Sequence, residues 1–295
     1  MQHESERSLR PATRVVILIV VACAAALPFL RAIGQPLVAW DDDLNFLENP
    51  HVRDLSARSL HWMWTKFYVG HYMPLTWMSC ALEATLFGFD AAVLHAGNIA
   101  WHALTSVLLY LVIVELFERA DVAATERSKR VAAAIGTLFF AVHPLRVESV
   151  AWATERRDVV SGAFVALSVL LWLRAQRNGA ARTKLLALSI VMFAASLLSK
   201  VSGMTLPFAL LALDAWPLRR FEQLGRRALL LEKLPYFVLA LGGAALGYVG
   251  QRVSTEYLAG IDAAPVGMRL AISGHALRLY VEKTLLPLGL SPFYE

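Results

Sequence analysis

The chain has 295 residues, of which 57% are hydrophobic and 17% charged, with a mean hydropathy of +0.53. That balance leaves too little polar surface to clothe a soluble globule and implies a polytopic membrane protein. The net charge of +5 is accounted for by basic loops, so no nucleic-acid partner is needed, and Cys23 and Cys80 form neither a disulfide framework nor a metal-type spacing.

Apolar stretches recur near residues 15–30, 92–117, 131–143, 159–173, 185–198, 203–216, 234–250 and 268–290. They are continuous and rich in Leu, Ala and Val, unlike the short alternating segments of a barrel, so the fold class expected is all-α. About seven to eight transmembrane helices are predicted in a single membrane domain over 1–295, with a tail at 1–14 and a long first outer loop at 31–91. The first stretch has the basic start and apolar body of a signal peptide as well as of an anchor. Pro28, Phe29, Leu30 and Arg31 make a poor small-residue cleavage site, which favours an uncleaved anchor. Basic residues gather before the first span (Arg7, Arg10, Arg14) and after the second, fourth and sixth, for example at Arg130, Arg177 and Arg227. If every stretch crosses, all these clusters share one side, cytoplasmic by the positive-inside rule.

The opposite side receives Trp40-Asp41-Asp42-Asp43, three carboxylates about ten residues beyond the first span. Acids grouped at a membrane exit are expensive and point to a working site, although wet loops also carry charges. On the second span His95, Asn98 and His102 share one helical stripe. Polar side chains there face protein or a water-filled cavity, and interhelical hydrogen bonding is the simpler role for His102. Val131 to Val142 gives roughly 18 Å of helix, short of a hydrocarbon core of about 30 Å. That shortfall places Leu145 to Asp158 in a recess, with Glu148, Trp152 and Glu155 on one face and Arg156, Arg157 and Asp158 closing it; snorkelling in a thin bilayer is the alternative. Further on, the apolar run Leu185 to Trp216 divides at Ser199-Lys200-Val201-Ser202-Gly203, a tight hairpin on the same side. Lys200 could snorkel there or hold a phosphate as a point charge.

Taken in order, Trp40 to Pro50, Tyr72-Met73-Pro74, Leu94-His95-Ala96-Gly97-Asn98 with His102, His143-Pro144 through Glu148 to Trp152, Glu155-Arg156-Arg157-Asp158, and Ser199-Lys200 with Thr205-Leu206-Pro207 resemble the membrane half of the transmembrane and tetratricopeptide-repeat glycosyltransferases. These belong to the GT-C class, together with the protein O-mannosyltransferases. The resemblance implies inverting transfer of a sugar, often mannose, from a polyprenyl-phosphate donor to a protein Ser or Thr hydroxyl on the non-cytoplasmic side; a glycolipid or cell-wall polymer is an alternative acceptor. It puts the catalytic acids on Asp41 and Asp42, with Asp43 a substitute one position on, and these acids sometimes hold a divalent cation such as Mg or Mn. Arg156, Arg157 and Lys200 are then the candidates for the donor phosphate, and Tyr72, His95, Asn98, His143, Glu148 and Asp158 shape the pocket. The family's repeats and later spans are missing, so the chain is expected to be a truncated or minimal form, set in a bacterial inner membrane with its active face outward. A non-catalytic scaffold or a transporter is the alternative outside this class; a transporter would show two repeated halves, and none is seen.

Overall fold

The computed structural model describes residues 11–120, 123–177, 179–254 and 265–291, and among these there is no strand, only an isolated antiparallel bridge between Tyr68 and His71. Arg7 and Arg10 of the expected basic tail lie outside the described residues. Helix α1 (Pro11–Ala26) runs on as a 3-10 segment, Leu27–Gly34, with Pro28 in its first turn. The stretch 35–90 then carries α2 (Ala57–Thr65) and α3 (Pro74–Phe87). Asp90 caps α4 (Ala91–Arg119), accepting the Ala92 amide at 2.7 Å. Next come α5 (Glu126–Ala141), the single-turn α6 (Arg146–Ala151), α7 (Arg156–Ala175) and α8 (Arg182–Leu197). After the bend at Lys200 follow α9 (Leu206–Ala215), α10 (Arg220–Leu224), α11 (Arg226–Ser254) and α12 (Val266–Leu285).

Among the described residues four helices are long and apolar enough to cross a bilayer: Ala12–Gly34, Ala91–Arg119, Ala153–Ala175 and Arg226–Val253. The seven or eight predicted from the apolar runs include shorter elements. Helices α5 and α8 have 16 residues each and α9 has 10, against about 20 for a full crossing. Within the expected recess, Leu145 to Asp158 forms the short α6, a break at Trp152, and the opening of α7. Arg156, Arg157 and Asp158 fit in a helix because protein carboxylates and amides surround them, as shown below.

Helix α4 is central, packed by α1, α5 and α7, while α7 pairs with α8, and α11 leans on α8 and α9. Leu170, Trp172 and Leu173 of α7 meet Phe193 of α8, Leu210 of α9 and Tyr236 of α11 in the main core. Within it the Tyr236 hydroxyl donates to Ser189 Oγ at 2.7 Å, and Ser168 Oγ to the Ser189 carbonyl at 2.8 Å; such bonds join helices where apolar surface alone gives no preference over lipid. A second core sits inside the first outer stretch. Phe46, Val52, Met63, Met73, Trp77 and Cys80 close on Leu94 of α4 and Ala153 ahead of α7, so the stretch is a folded cap seated on one end of the bundle.

Candidate functional site

The acidic loop starts at Asp41, whose φ of 63° is left-handed, a conformation that Asp tolerates better than most residues. Its carbonyl accepts both the Asn45 amide at 2.8 Å and Asn45 Nδ2 at 2.9 Å, which closes the turn. The turn sends Asp42 into the protein, where it is 1% exposed. Asp42 Oδ1 accepts the Thr154 amide at 2.9 Å and Thr154 Oγ1 at 2.7 Å, and Oδ2 accepts the Val38 amide at 3.0 Å. Trp152 Nε1 adds a bond to the Trp40 carbonyl at 3.2 Å. Asp42 is therefore a clasp between the cap and the break before α7. Asp43 Oδ1 accepts its neighbour's amide, Leu44, at 2.9 Å. The Asp41 carboxylate is half-buried and carries no side-chain hydrogen bond or ion pair among the described residues.

One residue beyond Thr154 the chain enters an ion cluster. Glu155 accepts from Arg157 Nε at 2.9 Å and again from Arg157 Nη2, and its other oxygen accepts Lys200 Nζ at 2.8 Å. Lys200, 27% exposed, also reaches Asp158 at 2.5 Å, and Asp158 accepts Ser149 Oγ at 3.0 Å. Arg157 Nη1 donates to His71 Nε2 at 2.7 Å. Because Arg can only donate, that nitrogen is the acceptor and the proton of neutral His71 sits on Nδ1. Burial, and then the Arg157 and Lys200 cations, push the His71 pKa down to about 4. With His71 neutral, two cations face two carboxylates and the cluster balances.

Arg156 has a separate niche. Its Nε donates to Asn98 Oδ1 at 2.5 Å, Nη1 to Glu83 at 2.6 Å and Nη2 to the Leu94 carbonyl at 2.7 Å. At 1% exposure it clamps α3, α4 and α7 together and presents no face to a ligand, in contrast to the phosphate role expected for it. Gly97 makes room, since a Cβ there would overlap Glu83 Oε2 and Arg156 Nη2. Asn98 Nδ2 completes the clamp by donating to the Trp152 carbonyl at 2.9 Å.

Beside the cluster lies a cavity of about 350 Å³. Arg146, Ser149, Asp158 and Ser161 line its polar part, and Phe140, Val159, Val165, Leu206 and Ala209 its apolar part. Arg146 stands over the Phe140 ring at 5.1 Å and has no carboxylate partner among the described residues. Sequence reasoning passed over it within the His143-to-Trp152 motif; the signal available was a lone cation in a segment expected to be recessed. Thr154 and Glu83 were missed as well, since only the tertiary fold brings them to the motif residues, and Gly97, though within the quoted motif, was given no role.

The remaining candidates divide. The Tyr72 hydroxyl donates to the Trp64 carbonyl at 3.0 Å inside the cap. His95 is buried on the Asn98 stripe with neither ring nitrogen hydrogen-bonded, and His102 Nε2 donates to the Ala141 carbonyl at 2.9 Å. His143 Nδ1 accepts the Leu145 amide at 3.3 Å and its Nε2 donates to the Thr284 carbonyl at 3.0 Å, tying α5 to α12 instead of lining a pocket. Glu148 is exposed, because the helix breaks at Trp152, where ψ is 122°, and the face expected to join Glu148, Trp152 and Glu155 does not form. Among the described residues no group of three His, Cys, Asp or Glu is placed to hold a metal ion. Both Asp42 oxygens already accept donors, so the Asp41 and Asp42 pair does not fit a divalent cation in this arrangement.

The chain is similar to the protein O-mannosyl-transferase TMTC4 of Homo sapiens, 30% identical over 209 residues, 63% of this chain and 27% of that protein. It is 32% identical to TMTC4 of Mus musculus over 146 residues, covering 45% of this chain and 19% of that one. Against TMTC1 of Mus musculus the identity is 29% over 173 residues, 55% and 17% of the two chains. This chain thus spans about a quarter of the human relative. No family model and no solved structure matches it. The likeness is to proteins named as protein O-mannosyl-transferases, over part of each chain.

Proposed function

We propose that the chain is the membrane part of a glycosyltransferase that moves mannose from a polyprenyl-phosphate donor to a protein hydroxyl, on the face of the membrane that carries the acidic loop. The observation behind this reading is the 350 Å³ cavity, polar at Arg146 and Asp158 and apolar toward α5 and α9, beside the segment that Asp42 fastens to the acidic loop. Such a space suits a ligand that is anionic at one end and hydrocarbon at the other. Charge counting singles out one cation. Glu83 neutralises Arg156, and Glu155 and Asp158 balance Arg157 and Lys200, whereas Arg146 is unpaired; Lys200 is added for its partial exposure and its contact with Asp158 of the cavity lining. The phosphate is assigned to Arg146 and Lys200, and Arg156 to holding the helices in place.

Asp41 serves as the base in this reading, since its carboxylate holds no hydrogen bond among the described residues while that of Asp42 is buried and accepts three. It takes the proton of the acceptor hydroxyl as that oxygen bonds to the anomeric carbon and the carbon's bond to the phosphate oxygen breaks from the opposite side. The carrier phosphate leaves with the electron pair, stabilised by cations already in position. No metal is called on. Membranes containing the full chain and radiolabelled polyprenyl-phosphate mannose supply the test. Label should enter protein, and Arg146→Ala should weaken donor binding by about 10- to 100-fold. Label passing to lipid would identify a glycolipid acceptor, and donor binding indifferent to Arg146 would overturn the assignment.

A further inference from the structure

We infer that the opposite end of the bundle carries a second site, which binds the phosphate of an anionic membrane phospholipid at Arg182 and one of its acyl chains between α8 and α11. The reading does not depend on sugar transfer. Where α7, α9, α10 and α11 meet away from the acidic loop, Asp214 and Lys233 are wholly buried, Arg220 nearly so, and the Glu232 side chain is 9% exposed. Arg220 and Lys233 each pair with Asp214 at 2.5 Å, and Glu232 takes Arg220 at 2.9 Å, Lys233 at 2.7 Å and Arg182 at 2.5 Å. Three cations therefore meet two carboxylates, an excess of one positive charge within a membrane protein. Charges kept at such a depth normally serve a ligand or an ion.

The hydrogen bonds show which cation is available. Glu232 Oε1 accepts Trp172 Nε1 at 3.1 Å, Arg220 Nη1 at 3.1 Å and Lys233 Nζ, and Oε2 accepts Arg220 Nη2 and Arg182 Nη2. Five donors thus address two oxygens that offer about four lone-pair sites. Arg182 is the outermost of them, 46% exposed where Lys233 is fully buried and Arg220 is 7% exposed. It can swing to an incoming phosphate and leave Glu232 fully satisfied.

A cavity of about 540 Å³ opens beside it. Arg182 and Glu232 form the polar end, and Leu186, Ile190, Leu231 and Pro235 are among the residues of the apolar walls. A soluble anion would use only the polar end. A phospholipid fills both, with its phosphate at the rim and a chain along the helices, as basic pockets between membrane helices do on the cytoplasmic side.

The experiment follows the thermal unfolding of the purified full chain in a nonionic detergent. Phosphatidylglycerol should raise Tm by several degrees and phosphatidylcholine with the same acyl chains should not. Arg182→Ala should weaken the phosphatidylglycerol effect roughly fivefold or more in apparent affinity and leave the lipid-free Tm close to the parent's, because Glu232 keeps four donors. Should Arg182→Ala unfold early, Ile190→Trp fills the apolar half with Arg182 intact and should likewise suppress the shift. Equal shifts from the two lipids, or a phosphatidylglycerol shift that survives both substitutions, would overturn the site. If glycerophosphate gave the same shift at the same concentration, the ligand would be a free phosphate ester and the lipid assignment would fall.

Discussion

At Asp41 a left-handed backbone, φ 63°, gives two adjacent carboxylates different surroundings, and their substitutions should separate accordingly. Asp42→Ala strips the acceptor from the buried amide and hydroxyl of Thr154 and from the part-buried amide of Val38, so it should destabilise the protein by roughly 1 to 3 kcal/mol, read as a lowered unfolding midpoint. Asp41→Asn keeps the size and the tolerance of the left-handed turn but cannot take a proton. Stability should hold while turnover falls by about 10² to 10⁴, measured as label transferred at saturating donor. Equal loss of stability in the two variants would show that Asp41 is structural as well. A pH test belongs to His71, whose pKa is lowered from 6.5 to about 4. As pH falls from about 6.5 to 4 the unfolded chain gains a proton there that the native protein refuses, so stability drops across that window, by on the order of 3 kcal/mol, and levels off below it. His71→Gln, still an acceptor for Arg157, should remove this component; an unchanged slope of unfolding midpoint against pH in that variant would refute the assignment.

Helix α4 shows how far a one-dimensional pattern reaches. Spacing alone puts His95, Asn98 and His102 on one stripe, and all three are buried there. What Asn98 meets could not be read from the chain, because Arg156 lies 58 residues away and joins it only when α7 packs on α4. The same packing makes Gly97 an obligatory notch. Gly97→Ala gains intrinsic helix propensity, yet its Cβ would press on the ion pair of Glu83 and Arg156. Overpacking should win by about 1 to 3 kcal/mol, measured by chemical unfolding, with Ala96→Gly on the same helix as a reference for propensity alone. Glu148 marks where periodicity misled. A helical face projected through residues 148–155 assumes a continuous helix, whereas Trp152 is extended so that Thr154 can meet Asp42. That break follows from a tertiary contact and leaves no local signal.

Across the whole molecule, hydropathy was sufficient for the class and for the longest helices, since bilayer burial acts on composition segment by segment. It does not separate crossings from packed helices among the shorter elements, because an apolar run of 16 residues reads alike whether it spans lipid or packs on protein. The basic segments, by contrast, were grouped correctly by counting turns. Arg177, at the end of α7, pairs with Glu118 near the end of α4 at 2.8 Å; Arg130 at the start of α5 approaches the same carboxylate at 4.0 Å; and Arg182 opening α8 pairs with Glu232 near the start of α11 at 2.5 Å. The acidic loop and Lys200 occupy the other ends of α7 and α8. With cations concentrated at one end, the positive-inside rule predicts that this end faces the cytoplasm and that the cap over 35–90 faces outward. Single cysteines test it at two exposed positions, Glu48→Cys in the cap and Arg227→Cys at the start of α11. The native thiols do not interfere, as Cys80 is buried and Cys23 lies within the first span, beyond reach of a charged maleimide. In intact cells the impermeant reagent should label position 48 and spare position 227, and after permeabilisation both should react. The reverse pattern would invert the protein in the membrane, place the cavity at Arg146 and Asp158 on the cytoplasmic side, and remove the outward face on which the proposed acceptor depends.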